Sequence, residues 1–315
     1  MNAKISKRLL LNQTRSDPSD LKLWPALLLL SLGSAVVAIA GTADAQIAAS
    51  TNVKPQPSCQ RVDDDGSPSD RGEKSHAWRA GFGFWGASNP YEGASDDGES
   101  GIFPYLAFEN DWLRVDPSEL AIKAVSTQRF QVEALLAPRW VSADPKKTVS
   151  YANLERETSL DIGLRMSTTL GAAKASLEYR GDISGEIEGS ELTASLEAQT
   201  AVTPKLSIGA ESGIHWRDKK LATYMYGVRA DEVLIAGQNG AVVDRPRYDF
   251  DRDMVGHKEG AFIPFVGLQA GYAFTDKVQL VVYSGFEFFD EDVRNSPVIS
   301  DDLATSSYLG LMYSF

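Results

Sequence analysis

From His76 to the end of the chain, apolar and polar residues alternate in segments of about ten, with turn signals between them. Residues 158 to 170 show the pattern most fully. Thr158, Leu160, Ile162, Leu164, Met166, Thr168 and Leu170 share one face, opposite Glu157, Ser159, Asp161, Gly163, Arg165 and Ser167. A period of two places successive side chains on opposite faces of a strand. The pattern recurs with Ala173, Ala175, Leu177 and Tyr179, with Leu192, Ala194 and Leu196, and with Leu206, Ile208, Ala210, Ile214 and Trp216. Phe262 to Phe274 and Val278 to Phe288 continue it, and Leu309, Leu311, Tyr313 and Phe315 close the chain on an apolar, aromatic-ended face.

A soluble sandwich would alternate in the same way, so a single strand decides nothing. The repetition and the charged opposite face carry more weight. Short turns at 170–172, 201–204 and 275–276 alternate with longer polar loops at 142–156, 217–258 and 290–303, as in a membrane barrel with short periplasmic turns and long external loops. Trp78, Trp140, Trp216, Phe274 and Phe288 fall near segment ends, where an interfacial girdle would place them. The expected fold is a transmembrane antiparallel up-and-down β-barrel over 76–315. Eleven segments can be marked, near 77–87, 101–109, 112–124, 129–141, 157–169, 172–183, 187–200, 204–217, 259–274, 277–289 and 304–315. An even count is required, and the region 101–124, interrupted by Pro104 and Pro117, is where a strand is missed or false. Twelve strands are expected, with ten as the alternative.

The start of the chain names a route. Lys4, Lys7, Arg8, Arg15 and Lys22 precede an uncharged run from Trp24 to Gly41, and Ala43-Asp44-Ala45 offers a cleavage site. This is the layout of a secretory signal over 1–45, too short in its apolar part for a spanning helix. Residues 46–75 are rich in Pro, Ser and Asp and cannot bury enough to order themselves, so they read as a flexible periplasmic arm. Cys59 is the only cysteine, and lies too far beyond Ala45 for lipid attachment. The full chain carries a net charge of -12; residues 1–45 hold five Lys/Arg against three Asp, so their removal leaves -14. That sign argues against nucleic acid as a partner.

Candidate chemistry is sparse. Arg165, Lys174, Glu178, Arg180, Glu191, Glu197, Glu211, His215 and Glu287 lie on the polar faces and would line the lumen. They could tune a narrow pore or fill the interior as ion pairs, and ten to twelve strands leave little width, which favours filling. The histidines are His76, His215 and His257; a hydrolase would need Ser212 or another hydroxyl aligned with His215, which lies near Asp218. No catalytic site is expected. Asp249, Asp251 and Asp253 have the spacing of a calcium loop's first ligands, but Met254 and Gly260 replace its glycine and its glutamate. Neither a metal site nor a cofactor is expected. Leu309, Leu311, Tyr313 and Phe315 are expected to form a lipid-facing closing strand and an assembly signal, with outer-membrane lipid and lipopolysaccharide as surroundings.

Gly81-Phe82-Gly83-Phe84, Pro90-Tyr91-Glu92-Gly93-Ala94-Ser95-Asp96, Phe103-Pro104-Tyr105, Tyr224-Met225-Tyr226-Gly227-Val228, Ser296-Pro297-Val298 and Tyr313-Ser314-Phe315 occur in an order and spacing that resemble the MipA/OmpV family of outer-membrane barrels. The resemblance covers most of 77–315. It implies a barrel proposed to scaffold murein synthesis and turnover by holding a transglycosylase and a penicillin-binding synthase, and members have been tied to adhesion, osmotic response and drug susceptibility. It supplies no binding residues to carry across and does not cover the arm at 46–75.

Overall fold

In a computed structural model, the described residues are 77–92, 98–140, 154, 156–236, 242–244, 246–250 and 259–315. The signal segment, the arm, His76, His257, Asp251, Asp253 and Met254 lie outside them. The strands are β1 (Ala77–Ser88), β2 (Gly98–Glu109), β3 (Leu113–Asp116), β4 (Glu119–Ser126), β5 (Phe130–Arg139), β6 (Ser159–Leu170), β7 (Ala173–Asp182), β8 (Ser190–Thr203) and β9 (Leu206–Arg217). Helix α1 (Lys219–Tyr226), a 3-10 turn (Ala230–Glu232) and the hairpin β10 (Leu234–Ala236) and β11 (Val242–Asp244) follow. The chain ends with β12 (Ala261–Ala273), β13 (Val278–Phe288), α2 (Glu291–Arg294) and β14 (Leu303–Ser314). All strands except β10 and β11 close into one antiparallel barrel in the order β1-β14-β13-β12-β9-β8-β7-β6-β5-β4-β3-β2.

The barrel therefore has twelve strands, and the twelfth lay where the pattern failed. The segment marked at 112–124 is two strands, β3 and β4, reversed at Pro117-Ser118. Asp116 organises that reversal by accepting from the Ser118 and Glu119 backbone N–H groups at 2.9 and 3.2 Å. Closure is made by β1 and β14, whose register runs from Arg79–Ser314 to Ala87–Ser306, and Phe315 N–H donates to Trp78 C=O at 3.0 Å at the seam's lower end.

The two faces of the wall are inverted relative to a soluble protein. Phe84, Ile102, Leu106, Ile162, Leu177, Tyr179, Leu268 and Leu309 point outward and are exposed, whereas Arg114, Glu119, Glu133, Arg165, Glu178 and Arg180 point inward and are buried. Water would penalise such an apolar exterior, while a bilayer requires it. Side chains pack into the interior from both sides of its circumference, around a cavity of about 290 Å³ toward the loop end. Ionic side chains fill the half lined by β4 to β9. Tyr105, Ala107, Val281, Tyr308 and Met312, with Phe103 and Tyr283 against them, fill the other. Tyr308 can enter only because Gly83 faces it: a Cβ there would stand 2.3 Å from the Tyr308 ring.

Candidate functional site

The lumen is organised in tiers. At mid-depth, β3 and β4 supply Arg114 and Glu119, β5 supplies Glu133, β6 supplies Arg165, and β7 supplies Glu178 and Arg180. Arg165 donates to both oxygens of Glu119 at 2.9 and 2.8 Å, to Glu133 at 3.2 Å and to Glu178. Arg114 reaches Glu119 at 2.6 Å and Glu133 at 3.2 Å, and Arg180 reaches Glu119 at 3.2 Å and Glu178. Three guanidiniums and three carboxylates thus share one network, and the Arg165 side chain is only 1% exposed. Bidentate fork geometry and mutual burial make this a fixed plug rather than a solvated face.

Nearer the termini, Lys174 faces Glu197 across the ladder and Glu197 faces Glu211, and Gln269 donates to Glu197 at 3.3 Å. Lower still, Lys123 and Arg79 bind Glu109 at 2.7 and 3.3 Å. Toward the loop end, Arg139 binds Asp161 at 2.6 Å and Glu191 at 3.4 Å, while Arg217 binds Glu191 at 2.7 Å and Glu287 at 3.3 Å. His215 sits among them, hydrogen-bonded through Nδ1 to the Thr193 hydroxyl at 2.8 Å and stacked on Phe265 at 4.3 Å between ring centroids.

Arg165, Lys174, Glu178, Arg180, Glu197 and Glu211 are buried, and Glu191, His215 and Glu287 line one cavity with Thr193 and Phe265. Arg114, Glu119 and Glu133 were missed, because β3 is too short to show a period and Glu133 stands among apolar neighbours. Two readings are corrected. Asp218 is not a partner of His215; it caps α1 by accepting from Leu221 N–H at 2.9 Å and holds Ser190 at 2.8 Å. Ser212 pairs with Leu196 and His215 with Thr193, so the strand's alternation puts Ser212 on the outer face and His215 on the inner, with the wall between them. Among the described residues, no group of three or more His, Cys, Asp or Glu is placed to hold a metal ion, and Asp249 is engaged by Arg247 at 2.5 Å.

A packed cap closes the loop end. Tyr91 from the first loop, Tyr226 and Val228 from the end of α1 and beyond it, Tyr248 and Phe250 from the long loop, and Val298 and Ile299 after α2 form one buried cluster with Ile263 and Phe289. The Tyr91 hydroxyl donates to Met225 C=O at 2.9 Å, Tyr91 bridges Ile299, the Ser296 hydroxyl donates to Tyr226 C=O, and the Tyr226 hydroxyl meets Arg217. The Pro90-Tyr91, Tyr224-to-Val228 and Ser296-Pro297-Val298 motifs, far apart in sequence, converge here. Burial pushes the Tyr226 hydroxyl well above the ordinary tyrosine range and Tyr248 up to about 12, so both stay protonated at any physiological pH.

The cap is pinned by Arg156, which binds Glu232 at 2.5 Å and Gly227 C=O at 3.0 Å. Burial alone would raise the Glu232 carboxyl, but the bond from Arg156 and the neighbouring Arg229 outweigh it and hold the group below its usual value. A depressed carboxylate contributes stability above its unfolded pKa of about 4.3 and loses it as pH falls through the lower folded value. Protection of the Tyr224–Val228 amides, corrected for intrinsic exchange, is therefore expected to be high at pH 7 and to fall below about pH 4. Glu232→Gln should show low protection at both; equal protection of the two proteins at pH 7 would contradict this pinning.

The family of the chain follows from a match that spans the barrel and its cap. Residues 80–315 match the family model described as MltA-interacting protein MipA. The chain belongs to the MipA family. A relative, the 24 kDa outer membrane protein of Pasteurella multocida, is 24% identical over 221 residues, covering 67% of this chain and 79% of that one. Among solved structures, OmpT of Vibrio cholerae aligns with 76% of this chain and 97% of its own at 8% identity and a TM-score of 0.33. The NanC porin aligns with 76% and 100% at 10% identity and a TM-score of 0.35. This MipA-family protein is an outer-membrane β-barrel.

Proposed function

We propose that this barrel is a non-conducting scaffold of the cell envelope, embedded in outer-membrane lipid and lipopolysaccharide and holding murein hydrolase and synthase proteins at its periplasmic face. The observation that carries the reading is the plug. Arg114, Arg165 and Arg180 neutralise Glu119, Glu133 and Glu178 across the mid-lumen, and a buried, charge-balanced network leaves no polar path for a solute. With the interior committed to packing, the surfaces remain for function. The family's description as MltA-interacting supports a murein transglycosylase as the partner. A narrow solute pore is the weaker reading, because it needs the same plug to move. A barrel-borne hydrolase is weaker still, because Ser212 lies across the wall and the hydroxyl that does meet His215, that of Thr193, is only 4% exposed.

Affinity capture from envelope extracts tests the scaffold, using the full chain and a form lacking 46–75. Recovery of a murein transglycosylase by the full chain is expected; recovery of no murein enzyme by either form would overturn the reading. Loss of capture only in the shortened form would place the contact in the arm.

A further inference from the structure

We propose that the periplasmic rim of the barrel, from the β4–β5 turn to the β8–β9 turn, binds anionic phospholipid heads of the surrounding leaflet, one at Arg129 and one at Lys205. The inference rests on the embedding in outer-membrane lipid proposed above and is independent of the murein partner. It starts from an uneven distribution of carboxylates. The chain holds 43 Asp and Glu, yet none falls in 124–132, 166–177 or 198–210, the stretches that form the lower strand ends and the three turns of this arc. The cations of these stretches are Arg129, Lys174 and Lys205. Lys174 is buried and faces Glu197 across the ladder, whereas Arg129 and Lys205 are exposed.

Among the described residues, neither Arg129 nor Lys205 is in an ion pair. The loop end of the barrel differs. There Lys220 meets Glu188 at 3.0 Å, Arg247 meets Asp249 at 2.5 Å and Arg294 meets Asp302 at 3.6 Å. Elsewhere on the lower rim both signs occur, with Asp111 in the β2–β3 turn near the Lys123–Glu109 pair and Asp276 beside Lys277. The arc thus presents cations without a counter-charge.

Local turns hold both cations at the depth of a lipid head. The Thr127 hydroxyl bonds Phe130 C=O and Phe130 N–H, both at 2.9 Å, and Thr203 Oγ1 accepts from Lys205 N–H at 3.2 Å and Leu206 N–H at 3.0 Å. Each cation therefore stands one residue from the apolar face of its strand, at Phe130 or Leu206, and Leu170 and Val202 are exposed between them. Positive charge at this depth attracts lipid phosphate, and a guanidinium can meet two of its oxygens in a fork. An ethanolamine head would bring an ammonium to a rim with no carboxylate to receive it, so the arc favours a net-negative head such as that of phosphatidylglycerol. Four strand spacings, roughly 19 Å, separate β5 from β9, too far for one phosphate to serve both cations. The turns are short and stand little beyond the wall, which favours a lipid head over a periplasmic protein as the occupant.

The test uses the full chain in maltoside micelles at low salt, mixed with equal amounts of phosphatidylglycerol and phosphatidylethanolamine, with retained lipids counted by native mass spectrometry. Phosphatidylglycerol is expected to be retained in excess, and less of it at high salt. Arg129→Gln with Lys205→Gln should lower its retention at least about fivefold, whereas Arg129→Lys with Lys205→Arg should keep it. Lys220→Gln with Arg294→Gln, at the loop end, should change nothing. The heat-modifiable band reports folding of each variant, and the lipid preference of the native chain is a test that needs no variant. Equal retention of the two lipids, retention unchanged by the loss of Arg129 and Lys205, or displacement of the lipid by soluble murein peptides would each overturn the proposal. Capture of a murein transglycosylase, or its failure, leaves this result unchanged.

Discussion

Arg165→Ala is expected to destabilise the folded barrel by about 3–5 kcal/mol, because it leaves Glu119, Glu133 and Glu178 against only Arg114 and Arg180 in a closed interior. Few exposed side chains could approach that loss; isolated surface ion pairs contribute about 0–1 kcal/mol. The measurement is denaturant unfolding of vesicle-reconstituted protein, followed by the folded band. Glu119→Ala should cost a comparable amount, since Glu119 accepts from Arg114, Arg165 and Arg180. Replacing a charge pair together removes both desolvation and attraction, so Arg165→Met with Glu119→Leu should recover most of the loss. If Arg165→Ala costs no more than a surface pair, the mid-lumen is hydrated and the plug is not what fills it.

Removal of Phe315 is the second large effect, and it falls on assembly rather than on the equilibrium of the finished barrel. Phe315 is 73% exposed on the outer face, its ring is 5.0 Å from that of Tyr313 at a steep tilt, and its N–H holds Trp78 at the β1–β14 seam. Together with Leu309 and Leu311 it extends the lipid-facing stripe of the closing strand to the lower rim. Deletion is expected to lower the heat-modifiable protein in the outer membrane several-fold. Refolding of the same purified variant into detergent should be nearly normal, because only one backbone bond and one peripheral ring pair are lost. Undiminished folded protein in the outer membrane would show that this stripe is no assembly signal.

The strands were legible because each needs only its own alternation, and the charged inner faces of β6 to β9 could be read the same way. What escaped was non-local or too short. β3 spans two periods of alternation, so Leu113–Asp116 merged with β4 and the count stopped one short. Pro104 and Pro117 read as interruptions of a strand; the fold keeps one within β2 and uses the other at a reversal. Arg165 and Glu119 meet across 46 positions of sequence, and no spacing rule connects them. Helix α1 sat inside a stretch read as loop because only Asp218 marks its start, and the convergence of Tyr91, Tyr226 and Val298 depends on the barrel bringing three loops to one end.

The account rests on a closed lumen, and planar-bilayer recording of the reconstituted full chain tests that directly. No stepwise conductance is predicted for the native protein at moderate voltage. Reproducible unitary steps from the folded, heat-modifiable protein would contradict it, because ions would then be passing where Arg114, Arg165 and Arg180 are locked against Glu119, Glu133 and Glu178.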